Sequence, residues 1–270
     1  MFVAVDIGNQ RLKCGIFRFA REPVSIPKPE QTFASQHPAE IVEFVSRAWD
    51  ERQPARGNGQ GAPLTWWIAS VNRPAAGNLL DCVKRERPAD PLMLLSADDL
   101  PLAVRLPAPD RVGIDRLVNA LAAERMRHPG HSAVVVDLGT AITVDTISAD
   151  GAFLGGAILL GLASAARALH EFTDMLPLLN VESMACPEAI GKDTEPAMRA
   201  GLFWGTLGGV RELVRRQVET LGQPADVFIT GGHAAVFVEH LGNARHVPDL
   251  TLSGIALAAI YYEDRTRRGK

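Results

Sequence analysis

Apolar residues fill positions 2–5 (FVAV) and give way to Asp6-Ile7-Gly8-Asn9. An uninterrupted run of this length predicts a short strand covered on both faces. Residues 11–18 (RLKCGIFR) predict a second strand beyond a tight turn. Ile41, Phe44, Val45 and Trp49 recur at helical spacing and predict a helix over 38–49. Gly, Pro, Gln and Arg crowd residues 51–63, which predicts a surface loop. A strand over 66–71, a helix over 78–86 and a strand over 92–95 follow, then a Pro-rich extended passage over 101–109. Leu117, Ala120, Leu121 and Glu124 set a helical period within 113–127. Residues 132–137 (SAVVVD) form another buried-strand run, and 142–147 its hairpin partner. Helical patterns occupy 161–170, 195–220 and 234–241. A strand over 226–229 runs into Thr230-Gly231-Gly232.

The pattern repeats. Residues 3–8 read VAVDIG and residues 134–139 read VVVDLG, 131 positions apart (134 against 3) in a chain of 270. In both places an apolar strand delivers an Asp, one apolar residue and a Gly, and a second strand-like run follows. Internal repeats expose architecture. This one predicts two similar α/β halves facing each other across a cleft, at 1–112 and 113–270.

Composition narrows the functions. A net charge of −3 argues against non-specific nucleic-acid binding, which needs a basic surface. Cys14, Cys82 and Cys186 are far apart and form no CxxC pair, so neither a disulfide framework nor a structural zinc site is expected, and a reducing compartment fits. The start of the chain lacks the basic region of a signal peptide. The longest apolar stretch, 155–166, is shorter than the roughly 20 residues of a spanning helix. A cytoplasmic protein is expected. His37, His128, His131, His170, His233, His240 and His246 show no metal-ligand spacing and are expected at the surface. No GxSxG, GxGxxG or GxxxxGK[ST] motif occurs.

The two Asp-x-Gly turns suit phosphate chemistry. A glycine at a strand end lets the backbone turn sharply and approach a ligand, and successive N–H groups in such a turn bind anions. The Asp6 carboxylate can hold a hydrated Mg²⁺ that in turn holds phosphate, and Lys13 adds a positive charge on the same hairpin. Asp137-x-Gly139-Thr140 repeats the arrangement with a hydroxyl donor, and Thr230-Gly231-Gly232 supplies a third glycine turn. Asp115 and Arg116 open a predicted helix after Gly113. An acid there is explained by helix capping alone. The pair also fits a general base for a hydroxyl, with a planar fork for a carboxylate.

The ordered set DIGNQRLK (6–13), GIDR (113–116), DLGTAITVD (137–145), GGAILLGL (155–162), IGKDT (190–194) and ITGGHA (229–234) resembles type III pantothenate kinase, with Ala69-Ser70-Val71-Asn72 as a further match. The resemblance runs from residue 2 to about residue 258. It implies the acetate and sugar kinase/Hsp70/actin-like fold, with two ribonuclease-H-like halves around a cleft, and a homodimer. It implies transfer of the ATP γ-phosphate to pantothenate as the first step of coenzyme A synthesis, with Mg²⁺ and a monovalent cation, K⁺ or NH₄⁺. By motif, Asp6, Ile7, Gly8, Asn9, Gln10, Arg11, Leu12, Lys13 and Thr140 would bind ATP. Leu106, Gly113, Ile114, Asp115, Arg116 and Thr194 would bind pantothenate, with Asp115 as catalytic base. Asp137 would hold the monovalent cation. The chain departs from the family at Gln10, where a Thr or Ser is usual, at Leu106, where a Tyr is frequent, and at Leu160, where GGAIxPG has proline. Those departures leave open a kinase of another small hydroxy-acid, or a nucleotide-binding accessory protein with weakened turnover.

Overall fold

A computed structural model describes residues 1–19, 26–52 and 63–267. The loop expected over 51–63 lies, apart from its ends, outside the described residues. In chain order the elements are β1 (Phe2–Ile7), β2 (Leu12–Phe17), β3 (Gln31–Ser35), α1 (Pro38–Asp50), β4 (Thr65–Ser70), α2 (Arg73–Glu86), β5 (Leu92–Leu94) and α3 (Ile114–Met126). Then come β6 (Ser132–Leu138), β7 (Ala141–Ile147), β8 (Phe153–Leu160), α4 (Leu162–Glu171), α5 (Thr194–Leu221), β9 (Ala225–Thr230), α6 (Ala234–Phe237), β10 (Arg245–His246) and α7 (Leu250–Arg267).

The repeat read from the two Asp-x-Gly runs is a repeat of whole sheets. The first sheet has the order β3-β2-β1-β4-β5 and the second β8-β7-β6-β9-β10. In each, the first three strands form an antiparallel meander and the last two join in parallel. This is one ribonuclease-H-like topology used twice. β1 and β6 are central in their sheets, and successive side chains on both faces of each are buried. That is why FVAV and SAVVV are continuous apolar runs rather than alternating ones.

The contacts define two compact units. One comprises 1–102, 107–126 and 249–270; the other comprises 103–106 and 127–248. The sheets thus fall on either side of residue 112, while α3 and α7 belong with the first sheet. In the first unit, Val3, Val5 and Ile7 of β1 pack with Ile41 and Val45 of α1 and Leu79 and Val83 of α2. In the second, Val134, Val136 and Leu138 of β6 pack with Phe203 and Leu207 of α5. Each such fully buried side chain stabilises by about 1.5–3 kcal/mol.

Four elements were not expected from the pattern. α7 is buried at Leu252, Ser253, Gly254, Ile255, Ala256, Ala258 and Ala259, so it shows no polar stripe and no amphipathic period. It lies against α3, β1 and β4 of its own unit. Gly254 makes this possible: a Cβ there would sit 1.9 Å from the Val118 carbonyl oxygen. β3 and β8 are edge strands. β3 is largely exposed, and β8 carries two glycines and turns Ile158 and Leu160 outward. β10 has two residues only. The helix expected over 234–241 is shorter, one α-turn run on by a 3₁₀ turn at Val238–His240. The helix expected over 78–86 begins earlier, at Arg73, where the Asn72 side chain caps it by accepting the Ala75 N–H at 3.1 Å.

Candidate active site

In the first unit the chemistry gathers at one end of the β1–β4 pair. Asp6 is the penultimate residue of β1, and Gly8 to Arg11 form a tight exposed turn closed by the Gly8 N–H on the Arg11 carbonyl at 3.1 Å. Asn9, Gln10 and Arg11 are exposed, whereas Ile7 and Leu12 are core residues. Only the backbones of Ile7 and Leu12 can therefore meet a ligand. Lys13 lies opposite Asp6 in the β1–β2 register, which sets the two side chains on one face. The Lys13 ammonium forms an ion pair with Asp249 Oδ1 at 2.8 Å. Asp249 precedes α7 and was not anticipated: it lies 236 positions from Lys13 (249 against 13), and α7 itself was invisible in the pattern.

The GIDR segment reaches the same end of this sheet. The Val71 N–H continues the β1–β4 ladder by donating to the Ile7 carbonyl at 3.1 Å. A Cβ on Gly113 would lie 3.5 Å from Val71 Cγ1 and 2.5 Å from Asp115 Oδ1. Gly113 is therefore glycine because the Asp115 carboxylate occupies the side-chain space. Asp115 Oδ1 also accepts the Arg116 N–H at 2.8 Å. Ile114 and Leu117 are buried and anchor α3, leaving Asp115 and Arg116 half-buried. Burial pushes the Asp115 carboxyl above its ordinary value; the N–H and charge of Arg116 pull the other way and are outweighed. A carboxyl destabilised in its charged form is a better proton acceptor than one in water.

In the second unit the corresponding end of the β6–β9 pair carries Asp137, Gly139, Thr140 and Thr230-Gly231. Asp137 pairs with Thr230 in register. Its Oδ1 lies 2.6 Å from where a Gly231 Cβ would be and 3.6 Å from a Gly139 Cβ. Gly231 has φ +96°, so it supplies the left-handed turn and, lacking a side chain, lets the carboxylate and the Leu138 backbone pack against it. Gly161 has the same relation to the turn after β6, since a Cβ on it would lie 2.1 Å from the Gly139 carbonyl oxygen. The Thr140 carbonyl accepts the Gly161 N–H at 3.0 Å and the Ser164 hydroxyl at 2.8 Å. The Thr140 backbone is thus fixed and its side chain is half-exposed. Ser164 gave no signal in the sequence, because a single serine in a helical pattern has no spacing to mark it.

The remaining site candidates in the second unit are Leu106 and Thr194. Leu106 packs over Gly155 of β8, with Cδ2 3.3 Å from a Cβ position there. Residues 103–106 join β8 through the Arg105 N–H on the Phe153 carbonyl at 2.9 Å. Thr194 is the exposed first residue of α5, with Asp193 capping that helix. The structure therefore brings together Asp6, Gly8, Lys13, Gly113, Asp115 and Arg116 in one unit and Asp137, Gly139 and Thr140 in the other. Leu106 lies over β8, and Thr194 opens α5.

The family model for type III pantothenate kinase matches residues 2–216. The chain is 37% identical over 260 residues to a type III pantothenate kinase of Dehalococcoides mccartyi strain CBDB1, covering 94% of this chain and 93% of that one. It is 33% identical over 262 residues to the Sphingopyxis alaskensis protein of that name, covering 94% and 96%. Among solved structures, a Campylobacter jejuni protein described as a Baf family transcriptional activator superposes with a TM-score of 0.58 at 20% identity, covering 98% of this chain and all of that one. An activator of 2-hydroxyisocaproyl-CoA dehydratase from Clostridium difficile, with bound ADPNP, superposes at 0.54 and 13% identity, covering 100% and 97%. These two likenesses concern the fold.

Proposed function

The chain belongs to the type III pantothenate kinase family, and from that premise we propose which of its residues carry the reaction. The reaction is ATP-dependent phosphorylation of pantothenate to 4'-phosphopantothenate, the first step of coenzyme A biosynthesis. Asp115 accepts the proton of the pantothenate hydroxyl as its oxygen bonds to the γ-phosphorus and the bond to the β-phosphate oxygen breaks, leaving ADP. The observation that carries this assignment is the Asp115 carboxylate itself: half-buried, raised in basicity by burial, and given its space by Gly113. Arg116, next to it, pairs with the pantothenate carboxylate through its planar fork.

The turn from Asp6 to Lys13 and the Thr140 hydroxyl hold the ATP phosphates, with Gly8 allowing close backbone approach. Gln10 donates from its amide where the family usually has a hydroxyl. Phosphoryl transfer of this kind rests on positioning and charge stabilisation. The family uses a divalent metal with ATP. Asp6 suits a hard cation, since it is an anionic oxygen donor at a strand end beside a glycine with no side chain. Bound there, the metal would neutralise phosphate charge. Asp137 suits K⁺ or NH₄⁺ for a similar reason, as an anionic oxygen donor at the equivalent strand end packed against Gly231 and Gly139. Leu106 and Thr194 contribute to the pantothenate site.

A homodimer is supported by the exposed apolar side chains Ile158, Leu160, Phe172, Met175, Leu178 and Ile190, all within the second unit. No helix among the described residues is long and apolar enough to cross a membrane, and the proposed location is the cytoplasm. The test is formation of phosphopantothenate from ATP, Mg²⁺ and pantothenate, with K⁺ present or replaced by Na⁺. Activity is expected with K⁺ and a large loss with Na⁺. Equal rates would remove the role given to Asp137, and no product in either buffer would remove the kinase reading.

A further inference from the structure

His128 and His131, expected only as surface residues, meet a third donor from a distant part of the chain. They flank a turn that leads into β6. Gly130, at φ +80°, reverses the backbone, and the His131 N–H closes the turn on the His128 carbonyl at 3.1 Å. The two imidazole rings come to 5.2 Å between centroids. Asp226, the second residue of β9, pairs with Ala133 of β6 in the sheet. Its side chain is only 13% exposed. It accepts the His128 backbone N–H at 2.6 Å, and its two oxygens lie 2.9 Å from His128 Nδ1. His131 Nδ1 lies 3.3 Å from Asp226 Oδ1. Among the described residues this is the one group of three such side chains whose donor atoms all lie within 4.8 Å of one another.

We propose that His128, His131 and Asp226 form a binding site for a late first-row divalent cation such as Zn²⁺, separate from the phosphate chemistry. The spacing carries the argument. Zinc holds imidazole nitrogen and carboxylate oxygen at about 2.0–2.2 Å, so neighbouring ligand atoms around it stand about 3.0–3.6 Å apart. The His131 Nδ1–Asp226 Oδ1 distance of 3.3 Å falls at that separation, and the 2.9 Å His128 Nδ1–Asp226 contacts are hydrogen-bond distances that need to open by only a few tenths of an ångström around an ion. Two nitrogen donors select zinc, nickel, cobalt or copper over magnesium or calcium, which take oxygen. The backbone bond from His128 sets the carboxylate and the turn in a fixed relation. Arg127, whose Nη1 donates to the His131 carbonyl at 2.7 Å, is the neighbouring positive charge and limits the affinity. Three protein ligands leave further positions for water.

The site lies at the opposite ends of β6 and β9 from Asp137 and Thr230. Asp137 lies six residue steps along the chain from His131, about 20 Å along the strand. A bound ion would tie the turn before β6 to β9 and so stabilise the second unit by mass action.

The experiment uses tag-free, chelator-treated full-length protein with millimolar Mg²⁺ and no ATP, titrated with Zn²⁺ by calorimetry and with Co²⁺ by visible absorption. One equivalent is expected to bind. The melting temperature should rise by roughly 5–10 °C at a Zn²⁺ concentration about a hundred times Kd. His131→Ala and Asp226→Asn should each weaken binding at least about tenfold, while His246→Ala and Cys186→Ser leave it unchanged. Because Asp226 is largely buried, His128→Ala serves as a second exposed-residue variant, and retained kinase activity verifies folding. Absence of stoichiometric binding by the wild-type protein overturns the proposal. So does an affinity that is indifferent to His128→Ala and His131→Ala, or one that follows Cys186.

Discussion

Replacing Gly113 by Ala separates catalysis from stability in a way the structure makes quantitative. The added Cβ would stand 2.5 Å from Asp115 Oδ1, while its next neighbour, Val71 Cγ1, is at an ordinary 3.5 Å. Contact begins at about 3.5 Å, so the carboxylate must retreat by about 1 Å. It is the end of a short side chain and can swing without moving backbone. The retreat weakens its hydrogen bond from the Arg116 N–H, at a cost of about 1 kcal/mol. The loss of unfolded-state freedom on going from Gly to Ala offsets about 0.4–1 kcal/mol of that, and Gly113 does not require a left-handed φ. Stability should therefore change by less than about 1 kcal/mol. Catalysis should not be spared, since a 1 Å displacement of a reacting group costs on the order of 10²-fold. Steady-state kinetics with pantothenate varied at saturating ATP should show kcat reduced about a hundredfold, with an unshifted melting curve. In an Asp115→Asn background the same substitution should cost almost nothing further. A Gly113→Ala enzyme with kcat within about threefold of wild type would falsify the placement of Asp115 as the base.

Asp115→Asn should lower kcat by about 10²–10⁴-fold and raise the melting temperature at neutral pH. Burial raises the Asp115 pKa in the folded state, so wild type loses stability as pH climbs through that raised value and Asn does not; the advantage should vanish below about pH 4. The same shift moves the acid limb of the kcat/KM profile upward from that of an ordinary aspartate, and a limb below the ordinary aspartate value would contradict it. Asp249→Asn should remove a half-exposed ion pair worth about 0.2–1 kcal/mol and take one competing partner from Lys13. The KM for ATP should then fall about two- to fivefold, less at high salt; a rise would mean that Asp249 aims Lys13 rather than competing for it. Gly254→Ala drives a Cβ into the Val118 carbonyl, and denaturant unfolding should register a loss of about 1–3 kcal/mol or more. An unchanged midpoint would mean that α3 and α7 can separate without cost.

Both central strands, the helices α1, α3 and α5, and the two Asp-x-Gly turns were legible because each depends on local pattern. A strand covered on both faces must be apolar throughout, and a turn that approaches a ligand must end in glycine. Asp6, Asp115 and Asp137 were legible for the same reason: each sits at a fixed offset from such a glycine. The sequence by itself therefore determined the doubled α/β plan and the candidate acids. What it left open are features made by pairs of residues far apart in the chain. The first ten residues of α7 (250–259) are buried on nearly every side, so no polar stripe marks them as a helix. Lys13 meets Asp249, and His128 and His131 meet Asp226, only because strand pairing and the return of α7 bring their backbones together. Gly113, Gly161 and Gly231 are glycines for what stands against them, and for Gly161 and Gly231 those neighbours include backbone from other segments. Periodicity and spacing record which face of an element is buried. They carry no term for the partner across the gap, and that term was decided by the tertiary structure alone.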